Sequence, residues 1–187
     1  MTNSPFYQTP AEAEGLAPLI LTAELDEAAA AQLGAWRRAH YPPERNLVPA
    51  HLTLFHNLPG KWHHTIDEHL MERCWTIDPL AARALGLRFM GHGVCVDIDA
   101  PALVRLRAEL AAAWRAVLSP QDRQRFVPHV TIQNKVPPAK ARRTLQGLEA
   151  LFSSFPCRIE GLALWRYRGG PWEEVASYPF GAGPLDR

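Results

Sequence analysis

Two short stretches of this chain carry acid–base residue types at one spacing: Ala50-His51-Leu52-Thr53-Leu54 and Pro128-His129-Val130-Thr131-Ile132. Each reads His-apolar-Thr-apolar. In an extended strand successive side chains point to opposite faces, so His51 emerges beside Thr53 and His129 beside Thr131. The alternate residues, Leu52, Leu54, Val130 and Ile132, then turn towards a core. Two such strands side by side would present two imidazoles and two hydroxyls to a single cleft. A neutral imidazole can take a proton from an attacking water or hydroxyl, and a protonated one can give a proton to a leaving oxygen. The hydroxyls, with nearby backbone amides, can donate to phosphate oxygens as charge builds on them. This is equipment for attack on a phosphodiester, with no metal required and with roles that swap between forward and reverse reactions. The bland reading is that both units are ordinary strand residues with their polar side in solvent.

Other residues are weaker candidates. Lys135 follows the second motif and is a candidate phosphate contact at the cleft mouth. On the late strand, alternation lets one face carry Trp165 with Tyr167 and the other Arg166 with Arg168; Tyr167 is the candidate for stacking on a base. His56 stands five residues beyond His51, so strict alternation sends it to the opposite face. The run His63, His64, Asp67, Glu68 and His69 invites a metal reading, but His64 and His69 are five apart, and no His-Glu-x-x-His motif is present. No metal site is expected. The chain also lacks a Gly-rich phosphate loop, a nucleophile elbow and a dinucleotide fingerprint.

The elements that must hold these residues follow from pattern. Residues 18–25 read as a strand and 27–40 as a helix capped by Asp26 and stopped by Tyr41-Pro42-Pro43. The first motif strand spans 51–58. Thr65 is the expected cap of a helix running to about residue 77. Residues 81–90 and 94–98 form a hairpin across Gly91-His92-Gly93. Pro101 opens a helix to about residue 118, and the second motif strand spans 129–135. A helix over 139–152 and a hairpin of 157–167 with 172–179 complete the chain. Strand, helix and motif strand thus occur twice, which predicts a degenerate duplication: an α+β fold of two lobes about a pseudo-two-fold axis, with a central cleft. Residues 1–15 read as a flexible arm, and 16–187 as a single bilobal domain.

Composition sets limits. The 187 residues, 47% hydrophobic and 21% charged, suit one globular domain. A formal net charge of +1 gives no footprint for long duplex nucleic acid. Cys74, Cys95 and Cys157 are odd in number and widely spaced, as expected of buried free thiols. No leader is evident in the first residues and no apolar run spans a bilayer. A cytoplasmic monomer without membrane association is the expectation.

The paired His51-Leu-Thr53-Leu and His129-Val-Thr131-Ile, within a duplicated α+β layout, resemble the two-histidine (2H) phosphoesterase superfamily. The similarity covers roughly residues 18–180. Phe126-Val-Pro-His129-Val-Thr-Ile is close to the second motif of the 2′-5′ RNA ligase-like branch. One departure is that Gln133-Asn134-Lys135 follows this motif, where RNA-processing members often carry Arg. The resemblance implies His51 and His129 as catalytic residues, Thr53 and Thr131 as phosphate ligands, and no cofactor. It implies a small phosphodiester, cyclic nucleotide or RNA end as substrate. The expected reaction is opening of a 2′,3′-cyclic phosphate to a 2′-phosphate, with reversible 2′-5′ ligation a family-level activity. The rival readings are a non-catalytic module that binds nucleotides or RNA ends, and a metal-dependent hydrolase built on His63–His69.

Overall fold

A computed structural model describes residues 17–181, so the amino-terminal arm lies outside the described residues. Among the described residues there are seven strands, four α-helices and two short 3₁₀ turns. Strand β1 (Leu19–Leu25) leads through helix α1 (Glu27–His40) to the first motif strand β2 (Leu52–Leu58). Helix α2 (His63–Trp75) then precedes the hairpin of β3 (Leu80–Phe89) and β4 (Val94–Asp99). Helix α3 (Pro101–Ala113) leads to the second motif strand β5 (His129–Gln133). Helix α4 (Pro138–Glu149) and the hairpin of β6 (Phe155–Tyr167) and β7 (Trp172–Pro179) end the fold.

The strand order is β1-β2-β5-β4-β3-β6-β7, and an additional β1–β6 pairing closes the sheet on itself. Every pairing is antiparallel. The long β6 makes the closure: its first part, Phe155 to Ile159, lies beside β3, and the stretch beyond it lies between β1 and β7. Closure removes most free edges, which are otherwise templates for aggregation. The α+β layout is therefore present, with the two halves sharing one barrel-like sheet.

The duplicated units are β1-α1-β2 and β4-α3-β5, and they meet along the motif strands. Leu52 pairs with Val130. Both are fully buried. Carrying this antiparallel register one residue either way sets His51 across from Thr131 and Thr53 across from His129. The pseudo-two-fold axis thus passes between the residues that separate His from Thr in each motif.

Each helix forms where its sequence favours it and buries a stripe. In α1, Asp26 caps the first turn by accepting from the Ala29 N–H at 3.0 Å, and its other oxygen accepts from the Arg158 N–H at 2.6 Å. Ala29, Leu33, Gly34 and Arg37 form the buried face. Helix α2 starts before the expected Thr65, because the 3₁₀ turn Gly60–Trp62 runs straight into His63. Helix α3 stops at Ala113 rather than near residue 118. There Trp114 turns into the core, 5.3 Å from the Phe55 ring and donating Nε1–H to His69 Nδ1 at 3.1 Å. Leu33, Ile66, Leu70, Leu103 and Leu110 join the inward residues of the strands in one core. The three cysteines are buried and free, and burial pushes the Cys74 and Cys95 thiols up to about 12. No helix among the described residues is long and apolar enough to cross a membrane.

Two arginines tie the units crosswise. Arg37 of α1 donates to the Thr131 carbonyl of β5 at 2.7 Å. Arg107 of α3 reaches the Leu54 carbonyl of β2 at 3.5 Å and also donates to the Asp122 carbonyl. Both are buried, and each covers aromatic rings: Arg37 over Tyr41, and Arg107 over Phe55 and Phe126. Each helix thereby braces the motif strand of the other unit.

Candidate active site

The motif histidines are held by the same bond in both copies. His51 Nδ1 lies 2.7 Å from the Pro49 carbonyl and His129 Nδ1 lies 2.8 Å from the Val127 carbonyl. A carbonyl only accepts, so each Nδ1 carries a hydrogen and donates it. This fixes the tautomer in which Nε2 is the free nitrogen of a neutral ring. The Thr53 and Thr131 hydroxyls are half-buried and have no hydrogen-bond partner among the described residues. They are free to donate to an incoming oxygen.

These four residues line one cleft of about 450 Å³. Lys135 and Tyr167 line it too, as do Arg37, Tyr41, Arg45, Asn134 and Trp172. Lys135 reaches the rim through strained backbone. Its φ of 58° is in the left-handed region that residues other than glycine seldom adopt, and its N–H donates to Asn134 Oδ1 at 2.7 Å. For this reason β5 ends at Gln133 and not at Lys135. A Cβ on Gly93 would sit 1.9 Å from the Gln133 carbonyl oxygen, so only glycine lets the β3–β4 hairpin close against this corner.

His51 has a distinct environment. Its ring stacks obliquely on Trp172, with centroids 4.7 Å apart and planes at 48°. Burial lowers its pKa from 6.5 to about 4, the bond to Pro49 opposes that shift, and the charge of Arg37 adds to the lowering. His51 is therefore neutral across the physiological range.

The structure corrects the reading of His56. The β1–β2 register slips where Thr22 pairs with Thr53 but Leu21 pairs with Phe55, a bulge that leaves Leu54 without a partner. Leu54 and Phe55 are consecutive and both buried. The extra residue reverses the alternation, and His56 joins the cleft on the side of Thr53. Its Nδ1 lies 3.5 Å from the carboxylate of Asp122, which is fully buried. The Asp122 carboxylate also accepts from the His56 and Asn57 backbone N–H groups at 2.7 and 2.9 Å and from the Ser119 hydroxyl at 2.9 Å. Burial alone would raise its pKa; the bonds from His56, Ser119 and Asn57 outweigh it and hold the carboxyl below its ordinary value.

Trp172, Arg37, Arg45, Tyr41 and Asn134 escaped the sequence reading. For Trp172 the signal was present: the residue opens the strand facing Tyr167, its cross-strand partner. Arg37 carried no signal, because a mid-helix arginine reads as solvated. The histidine-rich segment does not converge. His64 faces Glu68 at 3.3 Å, His69 binds Trp114, and Asp67 accepts from the Tyr178 hydroxyl at 2.6 Å. No group of three or more His, Cys, Asp or Glu that could hold a metal ion occurs among the described residues. This segment also holds a third His-x-Thr, His63-His64-Thr65, in the first turn of α2 and away from the residues that line the cleft.

The fold is shared with solved structures. TT0787 of Thermus thermophilus is 20% identical with a TM-score of 0.63, covering 88% of this chain and 98% of that one. Escherichia coli LigT complexed with 3′-AMP is 17% identical with a TM-score of 0.55 and the same coverage. A structure described as a phosphoesterase is 19% identical with a TM-score of 0.51, again with 88% and 98% coverage. No curated protein sequence matches the chain. The family model of the 2′-5′ RNA ligase superfamily matches residues 25–171, from the end of β1 through both motifs to the β6–β7 turn. With that match spanning most of its length, the chain belongs to the 2′-5′ RNA ligase superfamily.

Proposed function

We propose that this protein is a phosphoesterase that opens 2′,3′-cyclic phosphates of nucleotides or RNA ends to 2′-phosphates. The observation that carries the reading is the matched pair of Nδ1-to-carbonyl bonds, which leaves two free Nε2 atoms on facing motif strands. His51, neutral and desolvated, suits the base: its Nε2 takes the proton of the attacking water as that oxygen bonds to phosphorus. The bond from phosphorus to O3′ breaks, and His129 as imidazolium gives its Nε2 proton to O3′. The products are a 2′-phosphate and a 3′-hydroxyl, so atoms and protons balance. Thr53 and Thr131 donate to the non-bridging oxygens, where negative charge accumulates. Lys135 adds positive charge at the rim. The exposed Tyr167 ring offers a face for a base.

The size of the cleft fits a nucleotide. LigT, which shares the fold, has been crystallised with 3′-AMP, NADP+ and ATP, and a small nucleotide is the ligand class proposed for this chain. Because the two imidazoles work as a base–acid pair, a ribose 5′-hydroxyl that replaces water as the nucleophile follows the same path: its oxygen bonds to phosphorus, the bond to O3′ breaks, and a 2′-5′ linkage forms. With the roles of the two imidazoles exchanged, the reverse step returns the cyclic phosphate. Steady-state turnover of 2′,3′-cyclic mononucleotides tests the reading. His51→Ala and His129→Ala should each lower kcat by about 10² to 10⁴, the range of one lost acid or base. Near wild-type rates in either variant would refute it.

A further inference from the structure

A second cleft of about 200 Å³ opens from the same reacting groups, with Thr53, His56 and His129 shared between the two. Its other walls include Arg88, Gln124 and Arg125, from β3 and from the loop between α3 and β5. The loop is tied down at Asp122, whose buried carboxylate receives donors from His56, Asn57 and Ser119. The acid at the base of this cleft is therefore already satisfied, and it orients His56. Arg88 is paired with Asp97 through bonds of 2.8 Å, and the Arg107 guanidinium is spent on the Leu54 and Asp122 carbonyls. Arg125 is exposed and has no carboxylate partner among the described residues. The donors that line this space without another partner among the described residues are thus the Arg125 guanidinium and the Gln124 amide, and the outer nitrogen of His56 joins them as a donor when the ring is protonated against Asp122. In that form all three suit an anion.

We propose that this cleft is a second phosphate subsite, formed by Arg125 and His56, which takes the 5′-phosphate of the nucleotide whose 2′,3′-phosphate lies between the two motif histidines. The inference rests on the proposed reaction and sharpens its substrate class. A nucleotide with a phosphate on O5′, which includes the end of an RNA chain, engages both clefts; a nucleoside cyclic phosphate engages one. The β2 bulge has a purpose in this arrangement, since without it His56 would face the core side. The wide first cleft, with Tyr41, Tyr167 and Trp172, is left for the base.

Calorimetry on the full chain tests this without turnover, using adenosine 2′-monophosphate and adenosine 2′,5′-bisphosphate. The wild type should bind the bisphosphate about tenfold more tightly, the effect of one or two charge-assisted hydrogen bonds. Arg125→Ala and His56→Ala should each bring the affinity ratio close to 1, while Lys135→Ala, in the first cleft, keeps it. Because the ratio is taken within each variant, a general loss of folded protein cancels. Equal affinities in the wild type, or an increment that survives Arg125→Ala, would overturn the subsite. Turnover of a 2′,3′-cyclic mononucleotide by the same preparation reports on the reaction separately. Turnover without a binding increment refutes the subsite alone, and a binding increment without turnover supports the subsite while refuting the reaction.

Discussion

The functional logic at the scale of single residues is that two chemically identical histidines have been given different surroundings. Both are oriented by a carbonyl two residues upstream, but only His51 lies against Trp172. Its pKa of about 4 means that kcat/KM should hold as pH falls from neutrality and decline only as pH approaches 4. An acid limb near 6.5 in the pH–rate profile would contradict the assignment of His51 as base. The same shift has a stability consequence of defined sign. Between pH 6.5 and about 4 the unfolded chain takes up a proton at this residue that the folded chain refuses, so stability falls as pH drops through that window. In His51→Ala the drop in thermal midpoint between pH 7 and pH 5 should be smaller than in the wild type. An unchanged drop would mean that the imidazole titrates alike in both states.

Pairs of elements do the positioning. The crossed arginines make each motif strand depend on the helix of the opposite unit, so the two histidines keep their relation only while both units are docked. Arg107→Met keeps the apolar stem but abandons two buried carbonyls. Chemical denaturation should show a loss of about 2 kcal/mol, and Arg107→Lys should not restore it, because a single ammonium cannot span both acceptors. Stability equal to wild type in Arg107→Met would remove the brace from the account. Most of these elements were legible, since Asp26, Pro101 and the Gly91–Gly93 turn punctuate strong periodic patterns. What local pattern could not supply was tertiary. Helix α3 has good helix formers past Ala113, yet it ends there because Trp114 packs between Phe55 and His69. The bulge is a middle case: the adjoining Leu54 and Phe55 are its signature, and strict alternation read through it put His56 on the wrong face.

On the scale of the whole molecule, duplication explains why so short a signal organises so large a fraction of the chain. Repeating strand, helix and motif strand and then pairing Leu52 with Val130 brings residues 78 positions apart into one cleft, and β6 closes the sheet behind them. The His-x-Thr spacing was readable because alternation ties it to a core face. The third copy at His63 shows that spacing alone is insufficient, since a helical setting sends its side chains elsewhere. The cationic walls supplied by Arg37, Arg45 and Arg125 come from separate elements, and nothing in their sequence spacing marks them as neighbours. The proposed chemistry needs both halves at once, so it should vanish as a unit. The most direct test incubates a 2′,3′-cyclic mononucleotide in excess chelator with the wild type, the His51→Ala and His129→Ala variants, and the double variant, and identifies the product isomer by phosphorus NMR. The wild type should give the 2′-phosphate, with the double variant scarcely slower than either single one. A 3′-phosphate product, or undiminished turnover in the double variant, would contradict it.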